Sequence, residues 1–228
     1  MSEPLTKAWD AYSKAIAGYE EEKDWIRYAS VQNNLGLIYL GLAERGMVAE
    51  VNLQHSVEAL TESARRYSEM QNWVDYAAVK NNLGITYRIL AQRGVAPEVN
   101  LQYAVKALKE SAYRYKEHKI WAKYAGVQNN LGTTYTVIAG RGVAPEANLQ
   151  LALEALTESA RLQKEQQNWD RYATAQTNLG VTYQGLASRG MAPTHNLQLS
   201  MDALTEATRI RKKQENWPEY ATVQTASV

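Results

Sequence analysis

Asparagine side chains recur along this chain at a constant interval of 48 residues. A carboxamide carries one acceptor and two donors, so it can bond to both the N–H and the C=O of a peptide unit, whatever side chain that unit bears. A regular row of such groups predicts a surface that holds an extended backbone. Alternatively, each amide bonds across to a neighbouring helix and fixes its position, and the sequence leaves both interpretations open. The row consists of Asn34, Asn82, Asn130 and Asn178.

Residue types that usually perform catalysis or bind metals are absent or unsuitably placed. The chain has no cysteine, and His55, His118 and His195 occupy unrelated positions of the 48-residue interval, so we expect no metal site. One glutamate recurs in every interval, which favours a row of ion pairs over a single catalytic pair. Repeated groups lack the asymmetry of an active site, so we expect no catalytic residue, no cofactor and no enzymatic activity. The glutamates are Glu62, Glu110, Glu158 and Glu206.

Composition narrows the classes of partner. Lysine and arginine number 25 and aspartate and glutamate 24, for a formal net charge of +1. A general nucleic-acid binder or a protein that binds acidic membranes is therefore not expected. No stretch approaches the roughly 20 consecutive apolar residues of a membrane span, and the first residues lack the order of a signal peptide. We expect a soluble, cytoplasmic protein.

The asparagines belong to an internal repeat. Tryptophan occurs at 25, 73, 121, 169 and 217, and a tyrosine follows each of these by three positions. A period of this size indicates a solenoid, in which each unit is stabilised mainly by its neighbours. We predict one array over 1–228, with a lone B-type helix at 1–24 and a truncated A helix at 217–228. The repeats between them are 25–72, 73–120, 121–168 and 169–216.

Each repeat is predicted to contain two helices, named A and B. Helix A of the first repeat starts at Trp25 and ends at Arg45-Gly46, and its apolar residues, the tryptophan included, are predicted to pack in the core between repeats. Helix B is predicted to start at an asparagine N-cap, Asn52 in this repeat. Small residues such as Ser56 are expected where two helices approach closely. No segment alternates as a strand would.

The motif Leu35-Gly36-x-x-Tyr39, followed by small residues at Ser56 and Ser63, resembles the tetratricopeptide repeat. The resemblance implies an all-α fold, a right-handed α-solenoid of antiparallel helix pairs. The family's repeat usually has 34 residues, so both helices and the loops are longer here. The chain looks like the long type of repeat found in bacterial multidomain proteins, often beside protease-like or NTPase signalling domains.

The asparagine row falls on the side of helix A opposite the packed residues. At 100° per residue, Asn34 lies about 180° from Trp25. The resemblance implies that this side lines a concave groove and that an asparagine there grips an extended partner. We therefore predict that the protein binds a protein or peptide segment, and no nucleic acid or membrane. The other candidate groove residues are Asn33, Asn81, Asn129, Ile85, Arg88, Ile89, Thr133, Thr136, Val137, Val181 and Gln184.

Two further expectations concern the whole array. A structural module that spaces or assembles other parts, as a piece of a longer array in a bacterial signalling protein, is the alternative function. The first helix carries an apolar face that includes Trp9, Tyr12 and Ile16, and the segment from Trp217 to Val228 is only half a helix. Because solenoids usually need polar terminal caps, this predicts head-to-tail self-association through the terminal helices.

Overall fold

The computed structural model describes residues 3–214, except for the side chains of residues 3–10 and of Ser13. The described residues form nine α-helices and no strand, which confirms the predicted all-α class. The A helices are α2, α4, α6 and α8, and the B helices are α1, α3, α5, α7 and α9. Their bounds are α1 Glu3–Glu21, α2 Trp25–Glu44, α3 Ala49–Glu69, α4 Trp73–Gln92, α5 Pro97–Glu117, α6 Trp121–Gly140, α7 Pro145–Glu165, α8 Trp169–Ala187 and α9 Pro193–Lys213.

Every A helix starts at its tryptophan, as predicted. In three of the four, the residue before the tryptophan is an N-cap whose side chain accepts a bond from a backbone N–H of the first turn, as Asp24 does from Arg27 N at 3.1 Å. Asn72 and Asn168 occupy the same position of their repeats. These caps satisfy amide groups that have no partner within the helix. The sequence therefore determines the start of helix A by local chemistry.

The A helices end at the predicted Arg-Gly pair. Gly46 has a φ of 79°, and the following backbone N–H groups bond back to the last turn, with Gly46 N donating to Ala43 O at 2.9 Å. The arginines link repeats, because Arg93 Nη2 donates to Ala43 O at 3.0 Å and Arg189 Nη2 donates to Ala139 O at 2.9 Å. These contacts give Arg93 and Arg189 a structural role.

Helix B starts earlier than predicted. Its first residue is Ala49 in the first repeat and a proline in the others, and the predicted asparagine caps lie within the first turn instead. Each asparagine donates from Nδ2 to a loop carbonyl five residues before it, as Asn100 does to Val95 O at 2.7 Å. A proline suits the first turn because its missing N–H would have no partner there. The asparagines thus close the loop rather than cap the helix. The equivalent bonds join Asn52 to Met47 O, Asn148 to Val143 O and Asn196 to Met191 O.

The chain divides into two compact units, residues 1–114 and residues 115–228, here called unit 1 and unit 2. In unit 1, α3 packs against both α2 and α4, and α2 touches α4. In unit 2, α7 packs against α6 and α8, α8 packs against α9, and α6 touches α8. Within each unit, successive helices therefore pack in a solenoid-like arrangement. One continuous array over the whole chain stays a prediction.

The A and B helices of a repeat approach most closely at a glycine. A Cβ added at Gly36 would lie 2.6 Å from Leu60 Cγ, and one at Gly132 would lie 2.4 Å from Leu156 Cγ. Nearby, the fully buried Ser63 hydroxyl donates to Ala29 O at 2.7 Å. The predicted small residues are buried at this interface, where they let two backbones come close.

The four repeat tryptophans that the structure describes do not lie in the core, so that prediction is wrong for them. Trp121 is 42% exposed and Trp169 is 40% exposed, while Trp25 and Trp73 are half-buried. Each stands edge to face against the tyrosine three residues later, as Trp121 does on Tyr124 at 6.0 Å between ring centroids. Residue spacing places them on the packed side, but Trp121 meets the end of α7 at an open cavity, so part of its ring stays exposed.

Two expectations fall partly outside the described residues. The side chain of Trp9 and the segment 217–228 lie outside them, so the truncated A helix and the head-to-tail association stay predictions.

No helix among the described residues is long and apolar enough to cross a membrane. No cluster of potential metal ligands occurs within the described part of the chain either.

Candidate binding surface of the A helices

Asparagines from neighbouring A helices bond to each other within both units. In unit 1, Asn82 Nδ2 on α4 donates to Asn33 Oδ1 on α2 at 3.0 Å. In unit 2, Asn178 Nδ2 on α8 donates to Asn129 Oδ1 on α6 at 2.9 Å and approaches Thr133 Oγ1 at 3.4 Å. This is the cross-helix contact that the sequence left open as the alternative. The asparagines therefore do contribute to the packing of successive A helices.

The same asparagines keep hydrogen-bonding capacity. Among the residues that the structure describes, the carbonyl oxygens of Asn82 and Asn178 accept no bond, and neither oxygen is buried. An amide oxygen can accept from a peptide N–H, and here the amide is already held by its cross-helix bond. Asn34, the corresponding residue of the first A helix, is exposed on the surface of α2. Asn81 and Asn130 are half-buried and take part in polar contacts.

Some of the apolar candidate residues pack against the core, and others are exposed to solvent. Ile85 and Ile89 are half-buried and pack against a core cluster that includes Leu53 and Leu90. Val181, which occupies the position of Ile85 in the last A helix, is 40% exposed. Val137 is half-buried. The surface of α8 therefore presents more apolar area at this position than α4 does.

Two of the candidate threonines use their hydroxyl groups locally. Thr133 Oγ1 donates to Asn129 O at 2.9 Å, and Thr136 Oγ1 donates to Gly132 O at 3.1 Å within the same helix. Thr136 also meets Thr182 of the next A helix at 3.1 Å between hydroxyl oxygens. Thr136 thus belongs to the contact between A helices as much as to the outer surface.

A further row of threonines was not identified from the sequence. These side chains are fully buried, and each hydroxyl donates to the backbone oxygen of the asparagine four residues earlier, as Thr86 does to Asn82 O at 3.0 Å. They anchor the turn that carries the asparagine row. Their recurrence at 48-residue spacing was the available signal, although Ile38 interrupts it in the first repeat. The row consists of Thr86, Thr134 and Thr182.

Arg88 is the charged candidate on this surface. Its guanidinium is half-buried, donates from Nη1 to Gln92 Oε1 at 3.3 Å, and leaves Nε buried with no partner among the described residues. Burial lowers the pKa of Arg88 from its ordinary value, and the charge of Glu44 opposes that effect. Gln184 occupies the same repeat position in α8 and takes part in polar contacts. Leu40 occupies it in α2 and is buried.

The recurring glutamates form the predicted ion-pair row. Glu62 pairs with Arg65, Glu158 with Arg161 and Glu206 with Arg209, each pair within its own B helix. Glu110 differs, because its carboxylate pairs with Lys80 of α4 at 2.7 Å and accepts from the Tyr76 hydroxyl at 2.9 Å.

The pKa values of this row follow from the contacts. Burial raises the pKa of Glu110, but the hydrogen bond and charge of Lys80 outweigh it and hold that pKa below its ordinary value. Burial, followed by the bond to Glu110, raises the pKa of Tyr76 to about 12. Each of the four carboxylates therefore has a cationic partner.

Comparison with known proteins adds no family assignment. A scan against models of protein families finds no match to this chain. A search of curated proteins finds no match either. The assignment to the helical-repeat class therefore rests on the nine helices, their pairwise packing within each unit, and the 48-residue period.

Proposed function

We propose that this chain is a helical-repeat scaffold of the tetratricopeptide type that binds an extended protein or peptide segment along its A helices and catalyses no reaction. The motif Leu-Gly-x-x-Tyr and the paired small residues support the family assignment. The net charge of +1 argues against nucleic acid or an acidic membrane as the partner. A bacterial, cytoplasmic setting belongs to the same proposal and rests on the resemblance.

The observation that supports binding most directly is the state of the paired asparagines. Asn82 and Asn178 are each held by a bond to the neighbouring A helix, and their carbonyl oxygens stay accessible. A polar group held in one orientation loses little entropy when a ligand binds, so such an oxygen is a preorganised acceptor for a peptide N–H. Each bond would contribute about 1 kcal/mol, so the asparagines alone give modest affinity.

Selectivity in this proposal comes from positions that vary between repeats. The position of Leu37 in α2 is occupied by Ile85, Thr133 and Val181 in the other A helices. The Arg88 guanidinium adds one charged contact whose buried Nε has no partner among the described residues. Because charge on this surface is sparse, binding should depend only weakly on salt.

The test begins with a selection from a peptide library and then compares two variants of one bonded pair. Asn82→Ala removes both the cross-helix bond and the accessible oxygen, whereas Asn33→Ala removes the bond and keeps the Asn82 amide. If Asn82 grips the partner, Asn82→Ala weakens binding about fivefold, about 1 kcal/mol, and Asn33→Ala weakens it much less. Asn178→Ala and Asn129→Ala provide the same comparison in unit 2.

A structural module is the second candidate, and the cross-helix asparagine bonds favour it. In that case the amides serve only to fix successive A helices against each other. Alanine substitution of either member of a pair would then lower the free energy of unfolding by a similar amount. Any loss of binding would follow the loss of stability, and Asn33→Ala would match Asn82→Ala in both measurements.

A further inference from the structure

A guanidinium site is built into unit 1 from residues of the chain itself. The Arg66 side chain lies over the Trp25 ring, with Cζ 3.8 Å from the ring centroid. Its Nε donates to Glu62 Oε1 at 2.9 Å, and its Nη1 lies 3.5 Å from Glu69 Oε2. A planar cation is thus held by one aromatic face and two carboxylates, which is the environment that guanidinium groups prefer.

Unit 2 repeats this environment without the cation. Two periods further along the chain, Trp121, Glu158 and Glu165 replace Trp25, Glu62 and Glu69, but Leu162 stands where Arg66 would be. Leu162 is only 5% exposed, so it fills the space of the arginine's aliphatic stem. An aliphatic side chain ends before the position of a guanidinium. The receptor groups are therefore present, and the group that they hold in unit 1 is missing from the sequence.

The place beside Trp121 is an open cavity of about 520 Å³. Trp121 and Glu165 both line it, and both are accessible to solvent. Arg161 also lines it, but its guanidinium is held by Glu158 at 2.8 Å and by Glu165 at 2.7 Å. These three charges sum to −1, whereas in unit 1 two arginines, Arg65 and Arg66, balance Glu62 and Glu69 and bring the sum to zero.

We propose that the cavity beside Trp121 binds the guanidinium group of an arginine presented by a partner protein segment. Arginine suits the site better than lysine, because a planar guanidinium can stack on the indole while it donates to Glu165, the carboxylate that lines the cavity. The partner's arginine takes the place that Arg66 takes in unit 1. The site lies at the start of α6 and the end of α7, so it does not depend on the asparagine surface.

The next repeat supplies an internal contrast. Trp169 is exposed like Trp121, and Ile210 stands at the position of Leu162, beside a cavity of about 260 Å³. Lys213 occupies the position of Glu165 there, and Arg209 pairs with the remaining carboxylate, Glu206. These three charges sum to +1. A cation is repelled from this cavity, so Trp169 serves as the matched control for Trp121.

The direct test uses N-acetyl-arginine methylamide and its citrulline counterpart, which has the same shape without the charge. The indole N–H signals of the ¹⁵N-labelled full chain are followed by NMR at constant ionic strength, and Trp121→Phe assigns the signal of Trp121. We expect a saturable shift of the Trp121 signal, with affinity for arginine at least tenfold above that for citrulline. An equal response to both compounds, or an equal response at Trp169, overturns the proposal.

Two substitutions at exposed positions then exchange the charges of the two cavities. Glu165→Lys should abolish the arginine response at Trp121, and Lys213→Glu should create one at Trp169. Retained binding in Glu165→Lys contradicts the proposal. Leu162→Arg should also abolish binding by placing a guanidinium there from within the chain. Because Leu162 is buried, circular dichroism must first show that Leu162→Arg keeps the fold. If the fold changes, Glu165→Lys and Lys213→Glu decide the question.

Discussion

The tryptophan at the start of an A helix has a different neighbour in each unit. In unit 1, arginines lie over the rings, with Arg66 Cζ 3.8 Å from the centroid of Trp25 and Arg114 Cζ 3.9 Å from that of Trp73. In unit 2 the equivalent positions hold Leu162 and Ile210, and the tryptophans are more exposed. The same backbone frame thus accepts a cation or an alkyl group beside the ring. The side chain beside the ring therefore varies while the backbone frame stays the same.

The glycine contact between the A and B helices shows no such variation. Gly36, Gly132 and the leucines that cover them, Leu60 and Leu156, occupy identical positions in the two units. A helix–helix contact of this closeness leaves no room for another side chain, because protein interiors are packed as densely as organic crystals. The comparison therefore distinguishes a constrained contact between helices from a position beside the tryptophan that accepts different side chains. Substitutions can test that difference.

The largest effect is expected at the glycine contact, where the two units should behave alike. Gly36→Ala and Gly132→Ala each place a Cβ within 2.6 Å of a buried leucine Cγ, which should lower the free energy of unfolding by about 2 to 3 kcal/mol. Gly41→Ala in α2 meets nothing within 4 Å and should be neutral or stabilising by up to about 1 kcal/mol. Urea unfolding measures all three. A stable Gly132→Ala variant would show that the interface of unit 2 is looser than that of unit 1.

The tryptophans should show a smaller cost that differs between units. Because Trp121 is 42% exposed, Trp121→Ala should cost about 2 kcal/mol, below the roughly 3 to 5 kcal/mol of a buried tryptophan. Trp25→Ala also removes a cation–π contact with Arg66 and should cost up to about 1 kcal/mol more. Urea unfolding of both variants, with Arg66→Leu as the partner control, checks the difference. Equal costs in Trp25→Ala and Trp121→Ala would mean that the arginine adds no stability.

The loop asparagines provide a comparison of one loop bond at two degrees of burial, and Asn148 Nδ2 also donates to Ala144 O at 3.2 Å. Asn100→Ala in unit 1 and Asn148→Ala in unit 2 each remove a bond to a loop carbonyl, for a cost of about 1 kcal/mol. Asn100 is buried and Asn148 is half-buried, so the cost should be higher for Asn100. Thermal unfolding compares the two variants. The reverse order would indicate that the loop of unit 1 can rearrange to satisfy its carbonyl.

The smallest expected effect is the pH dependence contributed by Glu110. Its pKa is lower in the folded protein than the ordinary value of 4.5, so the folded state favours the charged form. Its contribution is therefore present above about pH 4.5 and is lost as the pH falls through the folded pKa. Glu110→Gln should be less stable than the original chain at pH 7, by an amount that shrinks by pH 3. Urea unfolding at several pH values tests this, and a constant difference would contradict the linkage.

Local signals explain which parts of the fold were predictable. The start of helix A follows from a tryptophan after a capping residue such as Asp24, and its end follows from a glycine such as Gly46. The start of helix B was predicted wrongly, because Asn52 resembles an N-cap in sequence but donates to the preceding loop carbonyl, Met47 O. The asparagine row was recognised, but its bonds depend on the neighbouring helix. No local pattern distinguishes an amide that faces a ligand from one that faces an asparagine 49 residues away.

The sequence by itself determined the repeat, the helix pairs and the small residues at the contact between helices A and B, because each of these depends on residue spacing within one period. The tertiary structure decided how far the tryptophans are exposed, which asparagines pair, and whether the cavity beside a tryptophan is filled. Those properties depend on which residues of neighbouring helices lie next to each other and on which side chains are in contact. The exchange of Arg66 for Leu162 is visible in the sequence, but only the packed helices show which carboxylates and which ring the arginine contacts.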